Sequence, residues 1–159
     1  MNLETLNNKL NEKTPEEILN YFISNKDHTV TVASSLSIED QVLTHMALSI
    51  NPNCSIFVLD TGRLHQETYD VIQKSMDKYQ FNYDVFFPMY DDVQSMIKQH
   101  GPNLFYESVE KRKQCCYIRK VEPLKRALTN ATAWVTGLRR LQSITRKDLK
   151  VIEWDESHK

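Results

Sequence analysis

The sequence predicts an α/β fold, a twisted parallel sheet with helices on both faces. Three observations predict it. Short β-branched or apolar runs recur as His28 to Ala33 (HTVTVA), Ser55 to Leu59 (SIFVL) and Tyr83 to Phe87 (YDVFF), and they read as buried strands. Between them, Leu43, Met46 and Ala47 in Glu39 to Ser49, and Tyr69, Ile72 and Met76 in His65 to Tyr79, are spaced for one face of a helix. Strand and helix therefore alternate, which calls for parallel strands joined by crossover helices.

The elements follow in order. Residues 1–27 are expected to be N-terminal helices and residues 28–159 one α/β domain. In Thr14-Pro15-Glu16-Glu17, Thr caps the first amides, Pro suits the first helical position and Glu17 completes a capping box, so a helix should run through Phe22. After the third strand, Asp91 to His100 is a short helix ended by Gly101-Pro102, and Tyr117 to Leu128 is a basic helix. Ala133 to Thr136 (AWVT) is a fourth strand and Val151 to Trp154 (VIEW) a candidate fifth. The chain stops five residues after VIEW without a helix to cover it, which is expected to be an interruption of the domain.

Composition bounds the function. At 159 residues, 40% hydrophobic and 9% aromatic, the chain can bury a core and is not a disordered segment. No apolar run approaches the roughly 18 residues of a membrane span, and the polar start MNLETLNNKLNEK lacks the apolar stretch of a signal peptide. A cytoplasmic protein is expected, with no membrane or nucleic-acid partner. The net charge of −1 conceals an asymmetry. Residues 1–110 carry 7 basic and 16 acidic side chains (net −9), residues 111–159 carry 13 and 5 (net +8), so anionic ligands are to be sought toward the second segment.

In open parallel sheets ligands collect at the carboxyl ends of strands. Three loops qualify: Ser34-Ser35-Leu36-Ser37, Asp60-Thr61-Gly62-Arg63 and Gly137-Leu138-Arg139-Arg140. Hydroxyls, helix-start amides and guanidinium groups suit a phosphate or sulfate ester. Taken singly, the serines are plain helix caps, Asp60-Thr61-Gly62 is a turn that uses Gly62 for an awkward backbone angle, and Arg139, Arg140, Arg146 and Lys147 are a solvated face. The serine loop lacks the glycines and Lys of a P-loop and is not GxGxxG, which disfavours Walker ATPases and Rossmann dehydrogenases.

The three cysteines are Cys54, Cys115 and Cys116. Neighbouring Cα atoms lie about 3.8 Å apart, below the roughly 4.4 Å minimum of ordinary disulfides, so Cys115 and Cys116 are not expected to bridge. Buried structural Cys is the ordinary alternative, but the basic surround from Lys111 to Lys120 favours thiolates. Soft thiolates suit zinc or an iron-sulfur cluster, either of which usually takes four ligands. Cys54 starts the second strand, away from the pair, which leaves the chain two thiolates short.

Four stretches in order, SSLSIEDQVL (Ser34 to Leu43), LDTGRLHQETY (Leu59 to Tyr69), CCYIRKVEPLKRAL (Cys115 to Leu128) and TGLRRLQSITR (Thr136 to Arg146), resemble the assimilatory sulfonucleotide reductases, and most closely the adenosine 5'-phosphosulfate (APS) reductases. Ile38 departs from the Gly or Ala common there. The resemblance implies an adenine nucleotide alpha hydrolase-like fold and reduction of APS to sulfite and AMP by thioredoxin or a glutathione-type reductant. It implies that Ser35, Ser37, Asp60, Thr61, Gly62, Arg63, Gly137, Arg139, Arg140 and Arg146 bind the nucleotide, and that Lys120 acts electrostatically between substrate and cluster. Cys115 and Cys116 would be two of four [4Fe-4S] ligands, a pair that marks APS reductases against most 3'-phospho-APS (PAPS) reductases. In the family a later CxxC pair supplies the other ligands, and the cysteine of an ECG motif attacks the sulfate sulfur. Neither is in this sequence. The chain is therefore expected to be the N-terminal part of such an enzyme, binding the sulfonucleotide without turning it over, with homo-oligomerisation left open. The alternatives are a PAPS reductase and a non-catalytic sulfonucleotide-binding module.

Overall fold

The structure, a computed structural model, describes residues 2–139 and 149–157. Helices α1 (Leu3–Leu10) and α2 (Pro15–Ile23) precede strand β1 (Val30–Ser34). The Thr14 capping box is present: Thr14 Oγ1 accepts from Glu17 N and the Glu17 carboxylate accepts from Thr14 N. Then come α3 (Ile38–Ile50), β2 (Ser55–Leu59), α4 (Gln66–Tyr79), β3 (Asp84–Phe86) and α5 (Tyr90–His100). A 3₁₀ turn at Leu104–Tyr106 leads into α6 (Val109–Cys116), a π-helical stretch (Tyr117–Val121), α7 (Glu122–Leu128) and β4 (Ala133–Thr136).

All strand pairs are parallel and the order is β3-β2-β1-β4. Val32 sits opposite Ile56 on one side and Val135 on the other. Ile56, Phe57 and Val58 are all at most 2% exposed, because both faces of a parallel sheet are covered and successive side chains point to opposite faces. Val32, Ala47, Leu48, Cys54, Ile56, Val58 and Tyr83 form the main core, while Met96, Leu104 and Cys115 form a second cluster with Phe105 and Ile118.

Three expectations are corrected. Val151–Trp154 is not a strand: the Asn7 side chain on α1 accepts from Ile152 N at 3.0 Å and donates to Ile152 O at 2.8 Å, so a side-chain amide takes the groups that a strand would offer to a sheet. The helix expected from Tyr117 begins eight residues earlier, at Val109, where Ser108 Oγ accepts from Lys111 N. It passes through a π-helical stretch just before Pro123, a residue that has no N–H and clashes with the carbonyl one α-turn back. The first and third strands are also displaced or shortened at their ends, since a ladder extends only as far as its partner: β3 has just Phe57, Val58 and Leu59 opposite it.

The strand order also locates a crevice. From β1 the chain winds outward through β2 and β3, then returns to place β4 on the other side of β1. The order reverses between β1 and β4, and loops diverging from the carboxyl ends of such a pair leave an opening suited to ligands.

Candidate functional site

The β1–β4 crevice is built around a residue absent from the sequence-derived candidates, Asp40. It lies in the first turn of α3 and is 4% exposed. Its Oδ2 accepts from Ser35 N at 2.7 Å, Ser35 Oγ at 2.5 Å and Ser37 Oγ at 3.1 Å. Ser37 occupies the N-cap position of α3 without a side-chain capping bond, so the plain-cap account of the serines does not hold. Both hydroxyls are donors to a buried carboxylate, with their lone pairs left for another donor. Within this loop Leu36 has φ +65°, a conformation costly for a side chain with a Cβ, which the Asp40 bonds on both sides hold in place.

Gly137, at the end of β4, packs onto the same carboxylate. A Cβ there would collide with Asp40, so the close approach of the β4 loop to α3 depends on glycine. Arg139 forms an ion pair with Glu39, the neighbour of Asp40. The β1 and β4 loops are thus joined through α3, and the Arg139 side chain, 61% exposed, is paired with a carboxylate. Arg140 and Arg146 lie outside the described residues.

One strand over, Asp60 follows β2 and is 3% exposed. It accepts from Gly62 N at 2.7 Å and from Tyr69 Oη at 2.8 Å, and the bond to Asp60 holds the Tyr69 phenol above its ordinary pKa. Gly62 has φ +70°, so the expectation of a turn that needs glycine is borne out. Thr61 Oγ1 accepts from Arg63 N at 3.3 Å. The Arg63 guanidinium donates to Pro102 O at 2.6 Å and Asn103 Oδ1 at 3.1 Å and lies over the Phe105 ring.

The helix carrying the cysteine pair reaches this loop through Arg119, a second residue that sequence reasoning missed. Arg119 is 7% exposed, and its guanidinium donates to Thr61 O at 2.5 Å. Lys120, next along the π-helical stretch, is exposed. Cys115 is buried against Met96 and Leu104, and Cys116 is exposed. Successive residues of a helix diverge by about 100°, so the two thiols leave the helix in different directions, one buried and one exposed. Among the described residues no group of three or more His, Cys, Asp or Glu is placed to hold a metal. The residues present therefore do not complete a four-thiolate set.

Burial also raises the Cys54 thiol above its usual pKa. With Ellman's reagent, Cys116 is expected to react rapidly, and Cys54 and Cys115 only after denaturation. Three fast equivalents in the native protein would contradict the packing of both buried thiols.

Among the described residues no helix is long and apolar enough to cross a membrane. Comparison with known proteins bears on the whole arrangement. The model of the phosphoadenosine phosphosulfate reductase domain matches residues 29–159. An adenosine 5'-phosphosulfate reductase of Burkholderia cepacia is 50% identical over 135 residues, covering 85% of this chain and 54% of that protein. One from Pseudomonas aeruginosa (strain LESB58) is 39% identical over 154 residues, covering 96% of this chain and 57% of its own length. The chain thus spans about half the length of the curated relatives it matches. Among solved structures, a phosphoadenylyl-sulfate (PAPS) reductase from Candida auris, as its phosphate complex, superposes with a TM-score of 0.80 at 25% identity, over 99% of this chain and 75% of that one.

Proposed function

The chain belongs to the phosphoadenosine phosphosulfate reductase domain family, and on that premise we propose that it is the sulfonucleotide-binding part of an enzyme that reduces APS to sulfite and AMP with a thiol reductant such as thioredoxin. The observation that carries the reading is the convergence of Ser35, Ser37, Gly137 and Arg139 on the reversal point between β1 and β4, with Asp60 to Arg63 one strand away. In this reading a Ser35 or Ser37 hydroxyl donates to the phosphosulfate by turning away from Asp40, whose carboxylate accepts its hydrogen bond in the free protein. Gly137 lets the β4 backbone come close, and Arg63, Arg139, Arg140 and Arg146 meet the charge of the phosphosulfate. Lys120 would favour charge build-up on the departing AMP phosphate. Cys115 and Cys116 would be half of a cluster's ligand set.

Both substrates share the adenosine and the phosphosulfate, so the 3'-phosphate of PAPS separates the two specificities. Titration calorimetry on the 159-residue protein is expected to give APS binding at least tenfold tighter than PAPS. Tighter binding of PAPS would move the protein to the PAPS-reducing branch. Absence of binding to either nucleotide would overturn the reading.

A further inference from the structure

Helix α5 carries two apolar faces, and only one of them is covered. Met96 is 2% exposed and packs against Leu104 and Cys115, which fixes the inward face. On a second face Tyr90 is 73% exposed and Ile97 38% exposed, and Phe87 and Met89, just before the helix, are 54% and 50% exposed. A surface helix ordinarily turns one apolar stripe to the core and polar residues elsewhere. Exposed apolar residues scattered singly need no explanation, but here four fall between Phe87 and Ile97. Tyr90, Val93, Gln94, Ile97 and Lys98 line a shallow groove of about 450 Å³ along the helix.

The charges beside this stripe indicate its occupant. Residues seven apart lie two turns along a helix on nearly the same side of it. Tyr90 and Ile97 are so related on the stripe, and Asp91 and Lys98 are so related on one flank of it. Both charged residues are exposed, and neither enters an ion pair among the described residues. A second copy packed with its α5 parallel would set Asp91 level with Asp91 and Lys98 level with Lys98. Packed antiparallel about a two-fold axis near Gln94, each Asp91 lies opposite a Lys98 of the other copy, while Tyr90 and Ile97 close an apolar seam. The helix is thus self-complementary in charge and in apolar surface, as an isologous contact requires.

We infer that α5, with Phe87 and Met89 at its start, is an interface between two copies of this chain, paired antiparallel with reciprocal Asp91–Lys98 ion pairs. β3, which leads into α5, is the sheet edge opposite β4. The β1–β4 crevice is therefore not the surface that pairs, and the inference stands apart from the reading of that crevice as a sulfonucleotide site. A helix of 11 residues is about 16 Å long, and one such contact falls below the roughly 1,200 Å² of stable interfaces. The pairing is accordingly weak and concentration-dependent.

Sedimentation equilibrium of the 159-residue protein from about 1 μM to about 1 mM, the range that reads weak affinities, tests it. The parent is expected to pass from monomer to dimer across that range. Ile97→Glu is expected to weaken the dimer at least tenfold. Asp91→Lys and Lys98→Asp, each of which sets like charges opposite one another, are expected to weaken it at least fivefold. The double variant Asp91→Lys, Lys98→Asp restores the pairs with their signs exchanged and is expected to return to within twofold of the parent. All four proteins change exposed residues, and circular dichroism checks that each is folded. A parent that stays monomeric throughout would overturn the inference and leave the stripe to a different partner. A dimer that survives Ile97→Glu, or single charge reversals that the double variant does not rescue, would place the contact elsewhere and overturn it equally.

Discussion

Asp40→Ala is expected to lower the unfolding free energy by about 3 kcal/mol, the largest loss from any single polar substitution at the site. The carboxylate is 4% exposed and receives three hydrogen bonds, from one amide and two hydroxyls. Hydrogen bonds to a charged group are worth about 1.5–3 kcal/mol each. The three are not additive, because the hydroxyls can turn to other partners once the carboxylate is gone, but Ser35 N cannot turn. Leu36 at φ +65° would also lose the bonds that hold its loop on either side, and Gly137 would face a void where the carboxylate stood. Asp40→Asn is expected to cost about half as much by order of magnitude, since one oxygen remains while the amide nitrogen opposes incoming donors. Urea unfolding of both variants checks this. A change below about 0.5 kcal/mol for Asp40→Ala, the range of ordinary surface substitutions, would show that the serine loop holds its shape without the carboxylate.

The second large effect concerns affinity. Arg139→Ala is expected to weaken APS binding roughly ten- to hundredfold, corresponding to the loss of one charge-assisted hydrogen bond worth about 1.5–3 kcal/mol. Lys150→Ala, in a segment that lies against α1 rather than at the crevice, is expected to change it less than twofold. The Glu39 ion pair supplies a control with the opposite sign. If Arg139 meets the phosphosulfate as proposed, Glu39, its ion-pair partner, competes for the guanidinium, so Glu39→Gln is expected to tighten APS binding a few-fold at low salt, an advantage that screening removes as ionic strength rises. Calorimetry on the three folded variants makes the comparison. Equal affinities would reduce Arg139 to a solvated surface cation.

What the sequence by itself determined were the features encoded over a few residues. Alternating apolar runs and helical periodicities identified the four strands of the described residues and the helices α3, α4 and α5, the Thr14 capping box marked where α2 starts, and Gly62 announced a left-handed turn. The ordered stretches from Ser34 to Arg146 carried the family, because each is a contiguous string of residues. The part of the helix from Val109 to Cys116 was not legible, since its polar run from Glu110 to Gln114 offers no apolar stripe, whereas the part from Tyr117 to Leu128 was read through Pro123. The false strand at Val151–Trp154 had strand-forming composition, but its backbone found an asparagine side chain instead of a neighbouring strand.

Only the tertiary structure decided the strand order, and with it which loops share a crevice. It joined Glu39 to Arg139 across 100 positions of sequence and Arg119 to Thr61 across 58. It turned Asp40 from an ordinary acidic residue at a helix start into the acceptor that orders the serine loop. The physical reason is range. Periodicity and capping are short-range preferences written into neighbouring residues, whereas the worth of a carboxylate or a guanidinium depends on its burial and on partners brought by other elements.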